Sequence, residues 1–208
     1  MARNYRDYFD YGAVYHIYNK VVSGENLFND PSDYKDFFER YSIYLAPYFD
    51  TYAYNLIPNH FHFLVRVKEK AKIVVSNENT TAAQKYLQGE ESINFFLENQ
   101  LARMFGGMAL RFNAKNNRVG PLLKSGVKRV LLKTEERVIY QLLYIHHNTI
   151  HHGLGAEYDD WKYSSYLAYL SQDHSQLDRD YIFQLLGNKD EFLRLHAQFK
   201  EEYRRSNR

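Results

Sequence analysis

Cysteine is absent from the 208-residue chain. That excludes disulfides and any thiolate-bound metal, and a cytoplasmic location is the natural expectation. Long apolar runs are missing as well. None approaches the ~20 residues needed to cross a bilayer, so no membrane association is expected. The N-terminus, Met1 to Tyr8, lacks the apolar centre of a signal peptide. There is no internal repeat and no low-complexity tract. Net charge is small, +2, and by itself says little about partners.

One further absence is local. From Asn99 to Thr134 there is no acidic residue, against eight basic ones: Arg103, Arg111, Lys115, Arg118, Lys124, Lys128, Arg129 and Lys133. The remainder holds 19 basic residues against 25 acidic, a net of −6. A basic segment on a mildly acidic body is the footprint of a polyanion site, although chance clustering on a solvated face gives the same pattern. What the chain has in abundance is aromatics, 17% of all residues with 20 Tyr. These can build a core and also stack on bases.

Periodicity gives the element order. Residues 1–12 read as a short arm and Ala13 to Asn19 as a strand. Ser23 to Asn26 is a loop. Asp30-Pro31 opens a helix, with Asp30 as cap and Pro31 at the first helical position, which Pro47 stops. Tyr48 to Ile57 is a second strand, turned by Pro58-Asn59 into a third, His60 to Val67, so these two form an antiparallel hairpin. Lys68 to Gly89 is polar and reads as a loop or insertion. Ser92 to Asn113 is a helix whose Gly106-Gly107 allows close packing or a bend. Val127 to Leu132 is a fourth strand. A helix capped by Thr134 then runs to Gly153. Tyr163 to Leu170, Asp178 to Leu186 and Asp190 to Arg204 are further helices. The order β-α-β-β-α-β predicts an α+β fold, a ferredoxin-like split βαββαβ antiparallel sheet with a C-terminal helical extension.

The third strand carries Asn59-His60-Phe61-His62-Phe63-Leu64-Val65. Alternate residues of a strand share a face, so His60 and His62 project together while Phe61, Phe63 and Val65 enter the core. Two adjacent imidazoles on a strand can present a metal ion. They can equally be polar residues on a half-buried strand, so a third ligand and a reactive group are required elsewhere.

The helix after strand four offers both. At ~100° per residue, Val138, Ile139, Leu142, Leu143, His146 and Ile150 form one packed stripe. Tyr144 and Asn148 lie one turn apart on the far side, with His151 near Tyr144. An Asn oxygen can be a third ligand beside two imidazoles, and a tyrosine hydroxyl can be a nucleophile. Tyr140, nearly on the same face, is the rival nucleophile. Asn148 could equally be a surface residue near the helix end. His147 and His151, four apart, could chelate zinc as a second site, but no acid or cysteine stands beside them.

In order along the chain come Tyr15-His16-Ile17-Tyr18-Asn19-Lys20, Tyr54-Asn55-Leu56-Ile57-Pro58-Asn59-His60-Phe61-His62-Phe63-Leu64, Tyr144-Ile145-His146-His147-Asn148 through His152-Gly153-Leu154, and Trp161-Lys162-Tyr163-Ser164-Ser165-Tyr166. In these segments the chain resembles the REP-associated tyrosine transposases, which belong to the HUH single-tyrosine, single-strand DNA transposases. The resemblance spans roughly residues 13–170. It implies a transposase domain over 1–170 followed by a helical extension over 171–208. It also implies that His60, His62 and Asn148 hold a divalent metal, Mg²⁺ or Mn²⁺, and that Tyr144 is the nucleophile. The implied substrate is single-stranded DNA carrying a hairpin. The family usually has proline after that Asn and often arginine after the strand-one Asn. This chain has Thr149 and Lys20, and neither change removes a ligand or the nucleophile.

The expected activity is nicking and rejoining of single-stranded DNA through a 5′-phosphotyrosine. Arg111, Lys115, Arg118, Lys124, Lys128, Arg129 and Lys133 are the candidates for backbone phosphates. Two other classes compete. A catalytically silent hairpin-binding relative would have no physical reason to keep the whole His60, His62, Asn148 and Tyr144 set. A zinc hydrolase would need a His-Glu-x-x-His or an acidic base beside the pair, and there is none. Monomer and homodimer both remain open.

Overall fold

In the computed structural model of the protein, residues 6–22, 24–75, 79–124 and 126–206 are described. Residues 1–5 of the expected arm, Ser23 of the expected loop, residues 76–78 of the polar stretch, Ser125 and residues 207–208 lie outside the described residues.

The elements are β1 Val14–Lys20, α1 Pro31–Tyr44, β2 Phe49–Ile57, β3 His60–Val67, α2 Thr81–Leu87, α3 Ile93–Lys115, β4 Lys128–Leu132 and α4 Glu135–His151. Helices α5 Tyr166–Leu170, α6 Arg179–Leu186 and α7 Lys189–Ser206 follow. All four strands pair antiparallel in the order β2-β3-β1-β4. This is the expected α+β split βαββαβ sheet, with helices on it and a helical extension at its end.

Local chemistry explains the elements that position the cleft. Asp30 and Asp33 form a reciprocal capping box at the start of α1, with Pro31 where a missing N–H costs nothing. Two residues, Pro58 and Asn59, close the β2–β3 hairpin, so Ile57 faces His60 directly. The Pro58 carbonyl accepts from Leu27 N (2.6 Å) and Phe28 N (3.0 Å), and the Asn59 carbonyl accepts from Val21 N (3.0 Å). The chain leaving β1 is thereby pinned to the hairpin turn, at one end of the sheet.

The two sheet faces bury different residues, because the strand period is two. One face carries Phe61, Phe63 and Val65 and packs against α1 and α3. Phe37 of α1 stacks on Phe63 (centroids 5.9 Å), and Phe105 of α3 stacks on Phe61 (4.9 Å). Each such ring, wholly removed from water, stabilises the fold by ~1.5–3 kcal/mol. The opposite face holds α4, with Ala53 and Leu64 of the sheet against Val138, Leu142 and Ile145. The C-terminal helices complete this second layer, and Ile182, Leu186 and Phe192 share its core.

The structure departs from expectation in three places. The Lys68–Gly89 stretch is not all loop: Thr80 caps α2, Ala82 and Ala83 are buried, and Tyr86 stacks on Phe96 at 4.6 Å. The small apolar face of that helix is two alanines wide, too weak to show in a polar stretch. The arm is anchored where it is described, since Phe9 is buried and the Tyr15 hydroxyl donates to the Tyr8 carbonyl at 2.7 Å. Finally, α4 is buried on two sides rather than along one stripe. Its outer side is covered by α7, where Tyr203 lies against His147 at 4.3 Å and His147 is buried, while Asn148 is buried toward the sheet and Ile139 and Ile150 of the expected stripe are only partly buried. The wheel assumed a solvated far side, and the sheet on one flank and the C-terminal extension on the other remove it.

Of the close packing or bend expected at Gly106-Gly107, the second glycine shows close packing. A Cβ on Gly107 would come within 2.7 Å of Arg40 Nη1, so glycine lets the α1 arginine cross α3. No described helix is long and apolar enough to cross a membrane.

Candidate active site

Strand pairing sets the site. Tyr18 of β1 faces His62, Lys20 faces His60, Lys128 of β4 faces Tyr18, and Asn55 of β2 faces His62. Cross-strand partners share a face, so these side chains converge on the α4 side of the sheet. His60 and His62 lie together there, with ring centroids 5.2 Å apart. Asn55 is wholly buried and anchors α4, its Nδ2 donating to the Ile145 carbonyl (2.9 Å) and Thr149 Oγ1 (3.0 Å). Thr149 supplies that second acceptor.

With α4 fixed this way, Tyr144 stands edge-on to His62 at 6.0 Å and to His16 at 6.5 Å. A cleft of about 320 Å³ is lined by Tyr18, Asn19, Lys20, His60, His62, Lys124, Lys128, Tyr144, Asn148 and His152. The sequence-derived quartet His60, His62, Tyr144 and Asn148 therefore lines one cavity. Tyr140, the rival, is 57% exposed and lies beside Tyr144 at 6.5 Å without lining the cleft.

Each of the three candidate ligands has one polar atom tied down and one left over. His60 Nδ1 lies 2.5 Å from Asn59 Oδ1. A carbonyl oxygen only accepts, so Nδ1 carries the proton and Nε2 keeps its lone pair. His62 Nδ1 lies 2.9 Å from His16 Nε2. Asn148 Nδ2 donates to the Tyr144 carbonyl at 2.7 Å, which fixes the amide's orientation and leaves Oδ1 as its acceptor. Burial pushes the His60 imidazole down to about 3, with His152 and Lys20 adding to the effect. His62 is pushed well down by burial and then by His16. Both imidazoles are thus neutral at pH 7, the state a metal ligand needs.

Two imidazole nitrogens and an amide oxygen suit a divalent cation and leave coordination positions open. The set is uncharged, so a phosphate would be the site's first anionic ligand. Among the described residues no group of three or more His, Cys, Asp or Glu is arranged to hold a metal, so the third donor would be the amide. The Tyr144 hydroxyl is pushed up by burial and by Tyr203, and a hydrogen bond with the Asn148 side chain opposes this. It is a protonated phenol at neutral pH and needs a proton acceptor to attack.

The remaining histidines of α4 have other partners. His147 is buried, its Nδ1 3.2 Å from the Tyr158 hydroxyl. His151 Nδ1 lies 3.2 Å from the Tyr203 hydroxyl. The basic residues divide. Lys124 and Lys128 line the cleft. Arg111 pairs with Asp36 (2.8 Å), Lys115 with Asp30 (2.8 Å) and Asp33 (2.7 Å), and Arg118 with Glu25 (2.7 Å). Arg129 is 4% exposed, and its guanidinium is held by Glu98, Asn94 and the Asp7 carbonyl. Lys133 is exposed at the end of β4. Sequence reasoning gave His16, His152 and Tyr18 no role in the site. The alternation His16-x-Tyr18-x-Lys20, read as one face of β1, was the available signal for two of them.

No protein-family model matches the chain, and no curated protein matches it. Among solved structures it is similar to the REP-associated tyrosine transposase bound to a REP hairpin, with a TM-score of 0.54 at 13% sequence identity. The likeness covers 82% of this chain and 86% of that one. At that identity the two share a fold.

Proposed function

We propose that this protein is a transposase-type enzyme that nicks and rejoins single-stranded, hairpin-bearing DNA, with Tyr144 as nucleophile. The observation that carries the proposal is the meeting of Tyr144 and Asn148 of α4 with His60 and His62 of β3 in one cleft beside Lys124 and Lys128. The fold shared with a hairpin-bound tyrosine transposase supports it. His60, His62 and Asn148 would hold a divalent ion, Mg²⁺ or Mn²⁺, which when bound supplies positive charge against a scissile phosphate.

In the reaction, Lys124 and Lys128 attract the DNA backbone and bring a phosphodiester over the cleft. The Tyr144 hydroxyl attacks phosphorus in line. Its Oη–P bond forms as the P–O3′ bond breaks, its proton leaves to water, and the departing 3′ oxygen takes up a proton as a 3′-OH. The product is a 5′-phosphotyrosine. One phosphodiester has been exchanged for another, so a 3′-OH can reverse the step and join strands without a nucleotide cofactor.

The test is covalent capture. Protein incubated with labelled single-stranded hairpin DNA and Mn²⁺ should give an adduct that survives a denaturing gel. Tyr144→Phe should abolish the adduct and leave hairpin binding within about twofold, while Tyr140→Phe should retain it. No adduct across a broad set of hairpins would favour a silent hairpin-binding protein. Loss in Tyr140→Phe with retention in Tyr144→Phe would move the nucleophile.

A further inference from the structure

His16 of β1 has no part in the reaction just described, yet it is 7% exposed and sits against the reacting groups. Its Nε2 is 2.9 Å from Nδ1 of His62, and the two rings are nearly parallel, 12° apart with centroids at 5.1 Å. Tyr18 lies flat against both, at 4.6 Å from His16 and 5.8 Å from His62. Tyr144 closes the edge of the pair. The strands enforce this. Tyr18 faces His62 across the β1–β3 ladder, and His16, two residues back, lies on the same face.

A hydrogen bond between two neutral imidazoles carries one proton. If it sits on His16 Nε2, then His62 Nδ1 accepts, and the proton of His62 must be on Nε2. That ring then has no lone pair left to bind a cation. If it sits on His62 Nδ1, His16 Nε2 accepts and His62 Nε2 keeps a free lone pair for a cation. At His60 no such choice exists, because its Nδ1 meets the Asn59 oxygen. Only His62 depends on a partner that can play either part.

We propose that His16 is a positioning residue: its Nε2 accepts the Nδ1 proton of His62 and so holds His62 in the tautomer whose Nε2 binds the divalent ion. The proposal rests on His60 and His62 being cation ligands. It follows that position 16 must offer an acceptor to His62. A glutamine there retains one through its amide oxygen, and a phenylalanine does not.

Mn²⁺ titration of the full chain without DNA, followed by electron paramagnetic resonance, measures the ion directly. His16→Phe should bind Mn²⁺ about 10- to 100-fold more weakly than the parent, and His16→Gln should recover most of the loss. Nitrogen-15 spectra of the parent imidazoles, which need no variant to fold, should show the His62 proton on Nδ1. Parent-like Mn²⁺ affinity in His16→Phe, or a His62 proton on Nε2, would overturn the role of His16 while loss of binding in His60→Ala and His62→Ala still upheld the metal site. Unchanged affinity in both of those alanine variants would overturn the metal site and the positioning role together.

Discussion

Lys124 and Lys128 differ from the other cations of their acid-free stretch in what they face. The run of basic residues was legible as a run, but sequence could not show which members meet carboxylates folded in from α1 and from the loop after β1. Lys115 reaches Asp30 and Asp33, which cap α1, and Arg118 reaches Glu25. Lys124 and Lys128 enter the cleft, the latter with its ammonium 5.7 Å from the Tyr18 ring centre. Replacing either with alanine should weaken hairpin binding and lower the slope of log affinity against log salt by about one. Arg129→Ala should act differently. Its guanidinium joins Glu98, Asn94 and the N-terminal arm inside the fold, so truncation should lower stability by roughly 1–3 kcal/mol. Binding isotherms at several salt concentrations, beside denaturant unfolding of each variant, separate a phosphate contact from a structural one. At this scale the His-x-His pair was the most legible feature, because strand alternation alone puts both rings on one face. His16 was less so: alternation with Tyr18 and Lys20 marks its face, but a histidine in a strand shows no sign of its partner across the ladder.

The element on which most depends is α4, held between the sheet and α7. Its cap, Thr134, was readable, as were β3 and the Pro58-Asn59 turn, because each is decided by neighbours in sequence. The burial of its outer side was not, because that depends on a helix some fifty residues on. His146 shows the consequence. It is wholly buried, with Nδ1 2.8 Å from His196 Nε2 and Nε2 2.8 Å from Ser165 Oγ. His196 Nδ1 donates to the Phe192 carbonyl at 2.7 Å, so His196 Nε2 must accept from His146 Nδ1. His196→Leu keeps the apolar volume but leaves the His146 N–H without an acceptor. It should cost roughly 1–3 kcal/mol in denaturant unfolding. Because α7 also fixes the face of α4 that bears Tyr144, adduct formation should fall as well. An unfolding midpoint equal to the parent's would mean that α7 does not brace α4 through this pair.

Across the whole molecule, buried neutral histidine is the feature with the widest consequence. Of 9 histidines, six are buried: His16, His60, His62, His146, His147 and His196. Burial pushes His147 and His196 down to about 4, and His146 well below its ordinary value. In the unfolded chain such groups take up a proton near pH 6.5, and in the folded chain only near pH 4. The unfolded state therefore binds more protons through that interval, so stability falls as pH falls. It is complete above about pH 7 and declines by about 1.4 kcal/mol per pH unit for each such imidazole below ~6.5. Asp50, pushed up by burial, acts in the opposite sense, but only near carboxylate titration, where its stabilisation is lost as pH rises through its folded value. The melting temperature should accordingly be level from pH 8 to 7 and drop steeply between 6.5 and 4.5, before most carboxylates protonate. The His196→Leu variant should show a shallower drop, having one such imidazole fewer, so its deficit against the parent should shrink at pH 5. A parent melting temperature that held level from pH 7 to 4.5 would show that these rings can be charged in place, and would remove the account of α4 as a helix held from both sides in a dry core.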